Sequence, residues 1–326
     1  MLGNPSDGYH GKTISISVRN FWSEVVLYEW DDVEIVLAQD DRARFRSIQD
    51  LATDVRIHGY YGGIRLIKAT IKRFVEYCEA RGLALHKRNF SVRYATNIPR
   101  QVGLAGSSSI IIATLRCLLN YYEIDMPLEI QPGFALAVET EELGIAAGLQ
   151  DRVIQCYQNI VYMDFGRDRE RRLNGLFHYT YEPLRLSHPL PLYLAIHSAL
   201  SEPTEVFHND LRGRFNRGEQ SVIDAMRHFA ALAAEGREAL IKGDIARLKT
   251  LIDDNFDTRR SICRLPDWQV QMVETARRCG ASAKFAGSGG AIIGTYDGEE
   301  MYERLRSELT RIGSRVIKPQ IYLYNG

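Results

Sequence analysis

Three groups of residues in this chain have the types and spacing to carry chemistry. The first is the run Gly103-Leu104-Ala105-Gly106-Ser107-Ser108-Ser109, set between a strand pattern and a helix pattern. Glycines let the backbone turn tightly and let a ligand approach it. Free N–H groups at a helix N-terminus attract phosphate. The serines can cap the helix, and their hydroxyls suit Mg²⁺. The plain alternative is a glycine turn followed by an ordinary serine cap. The second group is Lys284-Phe285-Ala286-Gly287-Ser288-Gly289-Gly290, which is either a loose turn or a second loop closing over a ligand. The third is Glu139 with Asp151. Two carboxylates could divide the work of phosphoryl transfer, one holding Mg²⁺ and one accepting a hydroxyl proton. The alternative is that both are solvated or capping residues, the reading preferred for Glu141 and Glu142.

Elements must position these groups, and the period of the apolar residues locates them. Ile14, Ile16 and Val18 alternate with polar residues, as do Val33, Ile35 and Leu37, so both stretches read as strands. Ile67, Ile71, Phe74 and Cys78 follow helical spacing, and Gly82 closes that helix. Phe90, Val92 and Tyr94 predict a strand that runs into the first glycine loop. Ile111, Leu115, Leu118 and Tyr122 predict the helix after it, and a further helix runs from Ala135 to Leu143. Pro191 to Ile196 reads as a strand, Gln220–Lys242 and Ile245–Ser261 as long helices, and Gln269–Cys279 as another. Ala291–Thr295 is a strand, Tyr302–Ile312 a helix and Ile317–Tyr324 a strand. The mixed order predicts two α+β layers, divided near residue 183.

Composition narrows the function. The chain has 326 residues, 45% apolar and 25% charged, with 26 Gly and 10 Pro, which excludes mainly disordered, collagen-like and mucin-like classes. Its 41 basic residues balance its 41 acidic ones, so a general attraction to nucleic acid or anionic membrane is not expected and any anion needs a local pocket. No apolar stretch is long enough for a membrane span, and Met1 to His10 lacks a signal-peptide pattern. The five cysteines form no C-x-x-C pair, which points to the reducing cytoplasm. The eight histidines show no H-E-x-x-H spacing. Gly11-Lys12-Thr13 imitates the end of a Walker A loop, but Ser6 stands where that motif needs glycine.

The three groups, in this order, resemble the GHMP kinase superfamily of galactokinase, homoserine kinase, mevalonate kinase and phosphomevalonate kinase. Pro99 through Ser109 is similar to its ATP-phosphate loop, Lys284 through Gly290 to its C-terminal glycine motif, and Leu2-Gly3-Asn4-Pro5-Ser6-Asp7 to its N-terminal substrate motif. More narrowly, four runs resemble the plant glucuronokinases: Leu2 to Tyr9, Gly59-Tyr60-Tyr61-Gly62-Gly63, Asn97 to Leu104, and Asn255 to Ser261. The resemblance implies a two-domain α+β kinase. Residues 1–183 would form a domain like ribosomal-protein domain two, and residues 184–326 a ferredoxin-like domain. It implies ATP and Mg²⁺, and a small sugar or sugar acid as the other partner. The reaction it implies is phosphorylation of the anomeric hydroxyl of D-glucuronate. Another sugar kinase of the superfamily, acting on arabinose, fucose or a heptose, stays open, as does a non-catalytic sugar or nucleotide sensor. The sequence carries no signal for an oligomeric state.

Residue by residue, the resemblance implies Asp151 as base and Glu139 as the Mg²⁺ carboxylate. It implies Ser108 as the metal serine, with Ser107 its nearest competitor. Phosphates would lie on Gly103, Leu104, Ala105, Gly106 and Ser107 to Ser109, with Pro99 beside them. Asn4, Asp7 and Tyr9 would meet the acceptor, with Gly287, Ser288 and Gly289 closing over it. Galactokinases carry Glu-His where this chain has Asn4-Pro5, and losing a carboxylate there lessens repulsion of a uronate. The family has a basic residue before its N-terminal motif, and this chain begins at Met1; Lys12 is the candidate substitute, the alternative being an exposed lysine. A uronate also needs a cation, and a guanidinium can bind a carboxylate in bidentate fashion. Arg259 and Arg260 are the candidates. As neighbours they lie about 100° apart on a helix, so one faces the pocket and the other does not. Arg100 is a further candidate, beside the phosphates.

Overall fold

The computed structural model describes residues 1–36, 62–100, 102–186, 188–197 and 211–321. Leu37, Gly59 to Tyr61, Gln101 and 322–324 of the expectations above lie outside the described residues. In chain order the first elements are strands β1 (Lys12–Ile16), β2 (Ser23–Trp30) and β3 (Glu34–Ile35), helix α1 (Gly63–Ala80) and strand β4 (Asn89–Thr96). Helices α2 (Gly106–Tyr121), α3 (Gln131–Ala137) and α4 (Gln150–Tyr157) follow, then strands β5 (Ile160–Asp164), β6 (Arg171–Leu173), β7 (Leu176–His178) and β8 (Thr180–Pro183). The rest comprises β9 (Leu192–His197), α5 (Leu211–Asn216), α6 (Gln220–Lys242), α7 (Ile245–Ile262), α8 (Asp267–Arg278), β10 (Lys284–Phe285), β11 (Ala291–Thr295), α9 (Gly298–Arg311) and β12 (Ser314–Ile317).

The helical periods mark the buried faces, with Ile71 and Tyr122 at their partly buried margins. Ile67, Phe74 and Cys78 on α1 and Ile111, Leu115 and Leu118 on α2 are all buried, in one core with Phe90 and Val92 of β4. Against the four-stranded sheet β10-β11-β9-β12 pack Phe256 of α7, Met272 and Val273 of α8, and Leu305 and Leu309 of α9. A third core joins Leu2 and Ile14 to Phe229 and Leu232 of α6 and Leu251 of α7. The N-terminal segment is therefore held by helices from the far end of the chain.

Several strands differ from expectation. β2 pairs with β4 along its whole length, yet its outer residues Tyr28 and Trp30 are exposed, so it lacks the alternation that marks a half-buried strand. β3 is only two residues long and runs parallel to β4. β5 to β8, unassigned in the sequence, build the sheet β1-β5-β8 and the hairpin β6-β7. The last strand lies earlier than Ile317–Tyr324, because Gly313, in a left-handed conformation, ends α9 and lets β12 begin at Ser314. No helix among the described residues is long and apolar enough to cross a membrane.

Two local departures from regular helix matter for chemistry. A 3-10 turn, Ser6–Tyr9, carries Asp7. After α3 the helix widens into a π turn, Val138–Glu142, which carries Glu139 inward and leaves it wholly buried. π turns are uncommon and recur at functional sites.

Candidate active site

Four segments converge on one cavity of about 610 Å³: the stretch around Asn4 and Asp7, the β4–α2 loop, the segment from Glu139 into α4, and Gly287-Ser288. Segments from the two ends of the chain are brought together by close backbone contact. Gly103 has φ +76°, and a Cβ there would lie 2.5 Å from the Ser288 nitrogen. A Cβ on Gly287 would lie 2.3 Å from the Gly103 oxygen. Only glycine permits this approach, so the second glycine run does lie over the first.

Helix α2 has no side-chain cap, and its N-cap Ala105 sits in the left-handed region at φ 58°. The serine cap, the plain alternative to a phosphate loop, is absent. Ser108 is fully buried and its hydroxyl donates back to the Ala105 oxygen at 3.0 Å. Ser107 instead lines the cavity and donates to Glu139 Oε1 at 2.5 Å. Successive helical residues point about 100° apart, so the helix that turns Ser107 to Glu139 turns Ser108 into the core. Of the two serines named for the metal, Ser107 therefore lies on the cavity beside Glu139 and Ser108 does not. Ser109 is buried too and does not line this cavity, whereas Pro99, Leu104 and Gly106 do.

Glu139 is completely buried, and the guanidinium of Arg152 donates to its Oε2 through Nε and Nη2. Arg152 Nη1 donates to the Gly148 oxygen at 2.9 Å and reaches Asp151 Oδ2 at 3.4 Å. This arginine was missed in the sequence. It has no period or motif to mark it; the one available signal was that a buried carboxylate needs a counter-charge.

Asp151 stands in the first turn of α4 with its side chain 43% exposed to the cavity. Asp7 lies against the start of this segment and accepts a hydrogen bond from the Gln150 N–H at 3.3 Å. A Cβ on Gly148 would lie 2.1 Å from Asp7 Oδ2, so glycine there is what lets the carboxylate in. Tyr9 also lines the cavity, edge-on to Phe215 with centroids 4.9 Å apart. Arg212 lies 4.3 Å over the Tyr9 ring and donates to the Gly8 oxygen at 2.5 Å. It was another omission, because α5 is too short to show a period.

Other expected residues fall outside. Lys12 does not reach the cavity: it faces Asp164 across the β1–β5 ladder and pairs with it at 3.2 Å. Arg260 is exposed and paired with Glu274 at 3.0 Å, while Arg259 lines the cavity, so the helical rotation separates the two as expected. Gly289 packs against Gln269 rather than the cavity. Arg100 and Asn4 are on the wall.

Burial, with the nearby Asp151 charge second, raises the Asp7 carboxyl from its usual 3.8 to about 6. Between those values the folded state holds a proton that the unfolded state has released, so wild-type stability falls as pH rises through this window. Asp7→Asn has no such dependence. Urea midpoints at pH 4 and pH 7 should therefore show the variant gaining on wild type at the higher pH. An equal difference at both would mean that Asp7 is not held protonated.

Residues 65–159 match the family described as GHMP kinases N terminal domain, and residues 237–311 match GHMP kinases C terminal. The chain is 42% identical over 299 residues to "Glucuronokinase 1" of Arabidopsis thaliana, covering 90% of this chain and 81% of that one. To "Probable glucuronokinase 2" of the same plant it is 43% identical over 300 residues, covering 90% and 80%. The fold is similar to that of Lactococcus lactis galactokinase complexed with galactose, at a TM-score of 0.72 and 15% identity, over 98% of this chain and 90% of that one.

Proposed function

The chain belongs to the GHMP kinase family, and from that premise we propose that it transfers the γ-phosphoryl group of ATP to the anomeric hydroxyl of D-glucuronate, giving glucuronate 1-phosphate. The observation that carries the reading is the meeting of Asp151, Glu139 and Ser107 with the uncapped end of α2 on one cavity, in a chain whose near relatives bear the name glucuronokinase. The family's two-domain α+β fold divides, in our reading, after Pro183, between β8 and β9.

Phosphoryl transfer asks little covalent chemistry of the protein; positioning and charge stabilisation do most of it. The free N–H groups opening α2, with the positive end of its dipole, receive the ATP phosphates. The contact of Gly103 with Gly287-Ser288 closes that cradle from above. Asp7 holds an acceptor hydroxyl, and Asp151 takes the proton of the anomeric hydroxyl as it attacks.

The donors at Ser107 and Glu139 fit Mg²⁺. Both are hard oxygens, and among the described residues no group of three or more His, Cys, Asp or Glu is placed to hold a metal ion. Mg²⁺ is commonly held by one or two protein oxygens together with phosphates and water. When bound, it would offset the charge developing on the transferred phosphoryl group. Glu139→Gln and Ser107→Ala are expected to raise the Mg²⁺ concentration needed for half-maximal ATP binding, read by calorimetry, whereas Ser108→Ala should not. An unchanged metal dependence in the first two would remove them from this role.

The five cysteines are free, and the balanced charge gives nucleic acid no purchase, which supports a cytoplasmic enzyme acting on small molecules. The deciding experiment is coupled ADP release across uronic and neutral sugars. Glucuronate should be the preferred acceptor. A neutral aldose preferred over every uronate, or no ADP release with any sugar, would overturn the reading.

A further inference from the structure

Beside Asn4, two basic side chains are buried with no anion among the described residues to meet them. Arg259, on α7, is 5% exposed. Its Nη1 donates to the Gly287 oxygen at 3.1 Å, its Nε has no partner among the described residues, and its guanidinium lies 5.2 Å from the centre of the Phe285 ring. Lys284, on β10, is 1% exposed; its Nζ donates to Asn4 Oδ1 at 2.5 Å and to the Phe285 oxygen at 2.7 Å. Among the described residues neither cation forms an ion pair. Burial pushes the Lys284 amine well below its ordinary range, and the Arg259 charge pushes it further, so an anion in the pocket is what would favour its charged form.

Asn4 is itself held in place. Asn255 donates to its backbone oxygen at 3.2 Å and accepts from the Gly3 N–H at 2.8 Å. Asn4 and Arg259 both line the cavity, and Lys284 is bonded directly to the Asn4 carboxamide. An unpaired buried cation costs free energy, and two together cost more, so hydrophobic residues of similar volume would serve the fold better. A ligand that brings the missing negative charge accounts for the arrangement. The phosphates already have the α2 cradle, and Arg152, as deeply placed on the cavity as Arg259, is already paired with Glu139. Arg260 is paired outside the cavity, and Arg212 is exposed at its rim.

We propose that Asn4, Arg259 and Lys284 form the subsite for the carboxylate of the acceptor, with Arg259 in contact with it and Lys284 acting through Asn4 as a positioning residue. The proposal deepens the sugar-acid reading above and rests on it for the identity of the acceptor. Binding of D-glucuronate, D-glucose and D-glucuronamide to the intact chain, by calorimetry and thermal shift, tests it. Wild type should bind glucuronate roughly tenfold to a hundredfold more tightly than the two neutral sugars. Arg259→Met should abolish that preference and Lys284→Met should narrow it, both with ATP affinity unchanged. The ligand-free melting temperature of Lys284→Met should stay level or rise, since a purely structural lysine would lower it. Asn4→Asp, which supplies an internal anion, should stabilise the fold and remove the preference, and it keeps the test open if either Met variant fails to fold. Variants that retain the preference, or that lose ATP affinity instead, overturn the subsite. So does a wild type that binds glucose as tightly as glucuronate. A wild type that prefers glucuronate in binding but releases no ADP sinks the kinase reading and leaves the subsite standing.

Discussion

Asp151→Asn is expected to lower turnover with glucuronate by about 10²- to 10⁴-fold, the usual worth of a positioned general base. Asn keeps the shape and the place at the first turn of α4 but cannot take a proton. The loss should fall on turnover rather than on nucleotide binding, because the groups expected to hold ATP lie on other segments: the open end of α2 and the two glycine loops. Arg152 Nη1, 3.4 Å from Asp151 Oδ2, holds the carboxylate side-on without sealing it from the cavity. Steady-state turnover, with the ATP dissociation constant measured separately, separates the two effects. Near wild-type turnover would remove Asp151 from the role, and weakened ATP binding would move it to the nucleotide.

The second large effect is on stability. Arg152→Met leaves Glu139, wholly buried, without the guanidinium that neutralises it. Removing one member of a buried ion pair typically costs about 3–5 kcal/mol, because the other charge stays desolvated and unmatched. The urea midpoint should therefore drop with little change in slope. Arg152→Met combined with Glu139→Gln should recover much of that stability, since no lone charge remains, yet recover no activity, since the carboxylate proposed to hold metal is gone. A single variant as stable as wild type would show that the cavity hydrates Glu139 well enough to manage alone.

The same pair shows what a linear sequence can and cannot disclose. Amphipathic helices are local: the bounds of α6 were legible to the residue and those of α7 to within one, because their apolar period needs no partner to be seen. The glycine loops were legible because glycine clusters mark tight backbone. Which of Ser107 and Ser108 faces the cavity was not, since it depends on the rotation of α2 about its axis, fixed by packing against α1 and β2. Arg152 and Lys284 matter through burial and through partners far along the chain, Glu139 for one and Asn4 for the other. Lys12 looked available until Asp164, on a strand that the period did not reveal, turned out to face it. Glu139 was placed in a helix, but the widening of that helix into a π turn, which brings it inside, leaves no trace in residue types.

The contact between Gly103 and the Gly287-Ser288 backbone has an evolutionary side. A single methyl group on either glycine would strike main chain on the other half of the protein. Neither loop can drift by itself, since any side chain gained on one must be met by retreat of the other. The two loops therefore constrain each other's residue choice. A chimera that joins this N-terminal half to a relative's C-terminal half is expected to fold correctly only if glycine stands at both contact positions.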